Sequence, residues 1–144
     1  MKRELAGNMA LDAGTLLETL FSTPHGIKVK KALKSQSLSA RVSNVTITEA
    51  RYVLCRKLGE SETNARMTNL LGSGYVAVHP DSELVEAAAE YKCKRSLSLA
   101  DCFSLALAKR AGVPVLFARK ERELVKEMSR EPFDVEVLFL EELS

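Results

Sequence analysis

The chain has 144 residues, 46% hydrophobic and 28% charged, with a formal net charge of +2. That length and balance suit one soluble domain, and no apolar run approaches the roughly 20 residues needed to span a bilayer. The opening MKRELAGNMA has two basic residues but no apolar region behind them, so it does not read as a secretory signal, and a cytoplasmic protein without a membrane partner is expected.

In chain order, Met9 offers an alternative start, which would leave 1–8 as an N-terminal arm and 9–144 as the single domain. NMALD (8–12) reads as a short strand. AGTLLETLF (13–21) reads as a helix ended near Pro24, and HGIKVKKALKSQ (25–36) as a second helix. ARVSN (40–44) is another short strand. TITEARYVLCRKLG (46–59) is a helix closed by Gly59, and ESETNARMTNLLGSG (60–74) a helix again closed by glycine. YVAVHP (75–80) alternates and stops at proline, as a strand does. DSELVEAAAEYKCK (81–94) is a helix with Asp81 or Ser82 as its cap. In SLADCFSLALAKRAG (98–112), Ser98 and Asp101 make an S-x-x-D capping box, and Gly112 ends the helix. VPVLFA (113–118) is wholly apolar and β-rich, the pattern of a central parallel strand. KERELVKEMS (120–129) is a helix and FDVEVLFL (133–140) the last strand.

Strands separated by helices imply an α/β sandwich with a mostly parallel sheet. Sites in such folds form beyond the carboxyl ends of the strands. Functional residues should therefore sit just after strands or at the starts of the following helices.

Charge is unevenly spread. Residues 24–60 carry eight Lys/Arg against Glu49 and Glu60, whereas 121–144 carry eight acids against three bases. A basic half beside an acidic half fits a polyanionic substrate or a charged partner, and it equally fits ordinary solvated helix faces. Cys55, Cys93 and Cys102 form no CxxC pair and have no nearby histidine, which argues against zinc. Cys55 and Cys102 lie in apolar helical stretches and read as buried free thiols. His25 and His79 read as loop residues, poorly placed for general-base work.

The acids follow the rule for sites. Asp12 ends the first strand. Glu49 falls in the first turn of the helix after the second strand, Asp101 in the first turn of a later helix, and Glu121 and Glu123 at the start of the helix after VPVLFA. Asp101 also lies on one helical stripe with Leu97, Leu105 and Ala108, where an unpaired carboxylate is costly. Each acid has a plainer reading. Asp12 could be a helix N-cap, Glu49 a dipole-favoured acid, Asp101 half of a capping box, and Glu121 and Glu123 surface residues. Together they would repel unless cations sit between them, and oxygen-only ligands select Mg²⁺ or Mn²⁺.

LDAGTLLETL, SNVTITEARYVL and SLADCFSLALAKRAGVPVLFA resemble, in order and spacing, the three sequence blocks of PIN-domain ribonucleases, especially the VapC toxins of toxin–antitoxin pairs. The likeness runs from about residue 9 to 125. It implies a three-layer α/β/α sandwich with Asp12, Glu49 and Asp101 as metal-coordinating acids. The family's fourth acid, often in a T-G/A-D turn, is replaced here by Ala118 and Arg119. Glu121 is the first substitute and Glu123 the second. The small polar residue that commonly follows the first aspartate is also replaced, by Ala13 and Gly14.

What the resemblance implies is a divalent-metal-dependent endoribonuclease. A metal-bound water would attack phosphorus in line and leave a 5′-phosphate and a 3′-hydroxyl. Lys28, Lys31 and Lys34 are candidate contacts to RNA phosphates. An antitoxin protein and a second copy of the chain are the implied partners, with apolar residues such as Leu16, Leu20, Val53, Leu54, Met67 and Leu70 available for an interface or for the core. The altered fourth acid motivates an alternative: a PIN-like protein- or RNA-binding module with weakened catalysis. Other phosphate chemistries fit less well, since there is no GxxxxGK[ST] loop, no GxGxxG and no second acid two residues after Asp12.

Overall fold

The computed structural model describes residues 3–144. Five strands, β1 (Gly7–Leu11), β2 (Leu38–Ser43), β3 (Val76–His79), β4 (Val115–Phe117) and β5 (Val137–Phe139), form one sheet in the order β3-β2-β1-β4-β5. Every neighbouring pair is parallel. The helices among the described residues are α1 (Ala13–Leu20), α2 (Pro24–Lys34), α3 (Asn44–Leu58), α4 (Glu60–Gly72), α5 (Val85–Lys94), α6 (Leu99–Ala111) and α7 (Arg122–Arg130).

Strand alternation sorts the side chains into two cores. Met9, Leu11, Ala40, Val42 and Leu116 pack with Leu16, Val29, Leu54 and Met67 from α1–α4. Ala10, Val115 and Phe117 turn the other way and pack with Ala88, Leu105 and Leu124 from α5–α7. A parallel sheet covered on both faces is the three-layer α/β/α sandwich that the alternation of elements implies. The chain builds outward from β1 through β2 to β3. It then returns to lay β4 on the other side of β1. The strand order reverses at that point, and a crevice opens past the carboxyl ends of β1 and β4.

Local chemistry accounts for the element ends. Gly59, at φ 85°, both closes α3 and precedes α4. Gly112, at φ 67°, lets α6 finish in a left-handed turn, with the Val113 amide donating to the Ala108 carbonyl at 3.0 Å.

Several expectations need correction. Segment 81–94 is not one helix, because a 3-10 turn (Asp81–Glu83) precedes α5. Asp81 does not cap it either: its carboxylate accepts from the Asn44 amide at 3.0 Å and so holds the start of α3. The last two strands pair over only three residues each. Segment 1–8 includes the start of the first strand. Leu5 is buried, its amide donates to the Ser144 carbonyl at 3.0 Å, and Gly7 and Asn8 belong to β1. Residues 1 and 2 of that segment lie outside the described residues. Cys55 is exposed rather than buried, while Cys102 is buried as expected. Leu16, Leu20, Leu54 and Met67 are core, which removes them from any interface. No helix among the described residues is long and apolar enough to cross a membrane.

Gly26 seats α2 against the end of α1. A Cβ added there would stand 1.8 Å from the Glu18 carbonyl oxygen, which is backbone and cannot yield cheaply. Gly26→Ala should therefore cost about 3 kcal/mol or more in urea unfolding. A loss under about 1 kcal/mol would mean that α2 can back away freely.

Candidate active site

Asp12 follows β1 directly, at the switch between β1 and β4. Its extended backbone (φ −80°, ψ 172°) makes it the N-cap of α1, and its Oδ1 accepts from the Thr15 amide at 2.7 Å. The Thr15 hydroxyl donates to the Leu116 carbonyl at 3.2 Å, and the Asp12 amide donates to the same carbonyl at 3.1 Å. The start of α1 is thus tied to β4. Gly14 and Ala118 make this close approach possible. A Cβ on Gly14 would lie 3.0 Å from the Ala118 Cβ and 3.1 Å from Asp12 Oδ2. These two small residues are therefore matched to each other across the site.

The other acids arrive from three further helices. Asp101 stands in the first turn of α6, where its amide donates to the Ser98 hydroxyl at 3.1 Å. The reciprocal bond of a capping box, from the Ser98 amide to the carboxylate, is not among the hydrogen bonds of the described residues. Glu49 lies in the second turn of α3 rather than the first, since that helix begins at Asn44. Glu121 precedes α7 and Glu123 lies in its first turn. A hydroxyl chain braces two of these helices. Ser43 Oγ donates to Thr46 Oγ1 at 3.2 Å, and Thr46 Oγ1 lies 3.4 Å from Ser104 Oγ, joining α3 to α6 one turn inward from Glu49 and Asp101.

Asp12, Glu49, Asp101, Glu121 and Glu123 all line one cavity of about 740 Å³. Their electrostatics show the crowding. Burial pushes the Asp12 carboxyl up to about 7; the Thr15 hydrogen bonds oppose this, and the charges of Asp101 and Glu121 add to it. Asp101 is pushed up to about 6, again mainly by burial, with Ser98 opposing and Glu121, Glu49 and Glu123 adding. Glu49 is raised by burial and then by Glu121. Glu121 appears in all three cases, so it is the acid after β4 that the others feel most.

Among the described residues, the one base lining the cavity is Lys92, whose ammonium donates to the Leu97 carbonyl at 2.7 Å. Nothing in the sequence marks it out. Thr46 and Ser104 carry a faint signal, as hydroxyls on otherwise apolar helix faces. Lys28, Lys31 and Lys34 are exposed on α2 and do not line the cavity. The histidines are not loop residues: His25 lies in the first turn of α2 and His79 ends β3, and neither lines the cavity.

The donor set is all oxygen and mutually repulsive, which fits a hard divalent cation in kind and in placement around one cavity. It does not form a ready cage. Among the described residues, no three His, Cys, Asp or Glu side chains stand close enough together to hold a metal ion.

The model of the PIN domain matches residues 9–131 of the chain. No curated protein sequence matches it. Among solved structures, the DNA-bound VapBC of Salmonella typhimurium is similar at 16% identity and a TM-score of 0.69, covering 92% of this chain and 98% of that one. The sarcin-ricin-loop-cleaving toxin VapC20 of Mycobacterium tuberculosis is 20% identical with a TM-score of 0.64, covering 82% and 93%. A toxin–antitoxin complex from Klebsiella pneumoniae is 18% identical with a TM-score of 0.59, covering 86% and 92%.

Burial favours the protonated form of Asp12, so its contribution to stability is full below the unfolded carboxylate value and is lost as pH rises through about 7. Asp12→Asn keeps an oxygen for the Thr15 amide and removes the charge. In EDTA at pH 8 the variant should be more stable by about 2–4 kcal/mol and melt several degrees higher. At pH 4 the gain should largely vanish. A lower melting temperature at pH 8 would contradict the placement of this carboxylate.

Proposed function

The chain belongs to the PIN-domain family, and from that premise we propose that it is a toxin-type PIN protein that binds RNA and an antitoxin partner, with metal-dependent cleavage weakened. The observation that carries this reading is the state of the acid set. Five carboxylates line one cavity, yet no three of the described residues are gathered for an ion. The turn after β4, where the family carries its fourth acid, holds Ala118 and Arg119, and Arg119 is paired with Glu18 at 3.2 Å.

Asp12, Glu49 and Asp101 would hold Mg²⁺ or Mn²⁺, with Glu121 or, failing it, Glu123 completing the set. A divalent ion bound there supplies a polarised water and stabilises charge on the phosphate. The chain's own part is to fix Asp12 through the Thr15 amide and Asp101 through its own amide on Ser98, and to brace α3 on α6 through Thr46 and Ser104. The second reading is a fully active endoribonuclease. The convergence of carboxylates from the ends of β1, α3, α6 and α7 on one cavity favours it.

The likeness to solved toxin–antitoxin complexes supports an antitoxin partner. A groove of about 360 Å³ between α2 and α4, with Leu33 and Leu70 in it and Lys30, Lys34 and Arg66 on its sides, suits a partner helix with an apolar face and acidic flanks. Self-association and a cytoplasmic setting accord with the same family reading.

Two measurements separate the readings. Calorimetric titration with Mn²⁺ should show no affinity at millimolar or tighter, and RNA cleavage in Mn²⁺ should differ less than about tenfold between the native chain and Asp12→Asn or Asp101→Asn. Tight Mn²⁺ binding together with a loss of about a hundredfold or more in those variants would overturn the weakened reading in favour of the full nuclease.

A further inference from the structure

A second cavity, of about 380 Å³, adjoins the acidic one. Gly14, Leu17 and Glu121 line both. Beyond this common wall the lining changes character, to Phe21 and Val53 with Lys57 and Arg119.

Four charged side chains line this second cavity. Glu18 is tied up: its side chain is only 13% exposed, it accepts from the Thr23 hydroxyl, and it pairs with Arg119 at 3.2 Å. Arg119 is 72% exposed, so this pair is weak and most of its guanidinium donors remain available. Lys57 stands 5.6 Å from the centroid of the Phe21 ring and is in none of the ion pairs of the described residues. Glu121 is the fourth, on the wall common to both cavities.

An aromatic ring with a cation over it, and a guanidinium fork at the rim, is the combination that holds a base together with its flanking phosphates. We propose that this cavity is a subsite for one nucleotide of single-stranded RNA, beside the acidic cavity. The base lies against Phe21 and Val53, and Lys57 and Arg119 take the phosphates. Two features of the structure select this occupant: Lys57, outside every ion pair of the described residues, and the largely exposed Arg119 stand beyond the wall that carries Glu121, and the cavity continues into the acidic one past Gly14, Leu17 and Glu121. The proposal rests on the RNA reading above and locates one contact of it.

The test is fluorescence anisotropy of a labelled hexauridylate on the full chain, in EDTA, so that binding is read without cleavage. Lys57→Ala and Arg119→Ala should each weaken binding by about three- to tenfold, and each should flatten the slope of log affinity against log salt by about 0.7. Phe21→Leu should weaken binding by about fivefold with the slope unchanged, because stacking carries no counterion. Circular dichroism melts of the three variants check that the fold is intact. Native-like RNA affinity in folded Lys57→Ala and Arg119→Ala, or loss of binding only in a Lys28/Lys31/Lys34 triple-alanine variant, would overturn the subsite and leave the RNA reading standing. No RNA binding by the native chain would overturn both.

Discussion

The structure is organised around a carboxylate in an uncomfortable place. Asp12 ends the central strand, is 9% exposed, and faces a cavity that also admits Glu49, Asp101, Glu121 and Glu123. One of its oxygens is satisfied by the Thr15 amide. The other stands in a region where burial and neighbouring charge both oppose ionisation. The strand order reverses at this point, Gly14 and Ala118 are small here, and α3 and α6 are pinned together by hydroxyls one turn inward. All of these features turn charged groups toward one cavity.

Much of this was legible in the sequence. The strands and helices expected from periodicity are present, the last strands shorter than expected and 81–94 opening as a 3-10 turn, because the apolar positions that define the period are the ones that pack. Met9 and Leu11 alternate with Ala10 between the two cores. Glycines 59 and 112 stop helices as their conformational freedom requires. What was not legible is mostly long-range. Asp81 looks like a local cap and instead reaches α3. Lys92, Lys57 and Arg119 acquire meaning only once the topology lays α5, α3 and the β4 turn beside the same crevice.

The acids show a subtler limit. Capping and site membership look like alternatives for Asp12, but a carboxylate has two oxygens and can do both. For Asp101, Ser98 takes the backbone amide, so the helix start is secured without spending the carboxylate on a reciprocal bond. Glu49 stands in the second turn of α3, which starts at Asn44, so the helix dipole accounts for it less well than its place on the cavity wall. After β4 this chain has Arg119 turned to Glu18, and Glu121 is the charge that raises Asp12, Glu49 and Asp101 alike. The carboxylates share one cavity, yet among the described residues no three of them are gathered for an ion, and the proposal of weakened turnover rests on that.

The most direct test of this account is a carbon-detected NMR titration of the side-chain carboxyls in metal-free protein. The account expects Asp12 to titrate near 7 and Asp101 near 6, with the two curves shifting together when Glu121→Gln removes the charge they both feel. Ordinary carboxylate titration of both near 4, indifferent to Glu121, would show that these acids do not share one buried cavity.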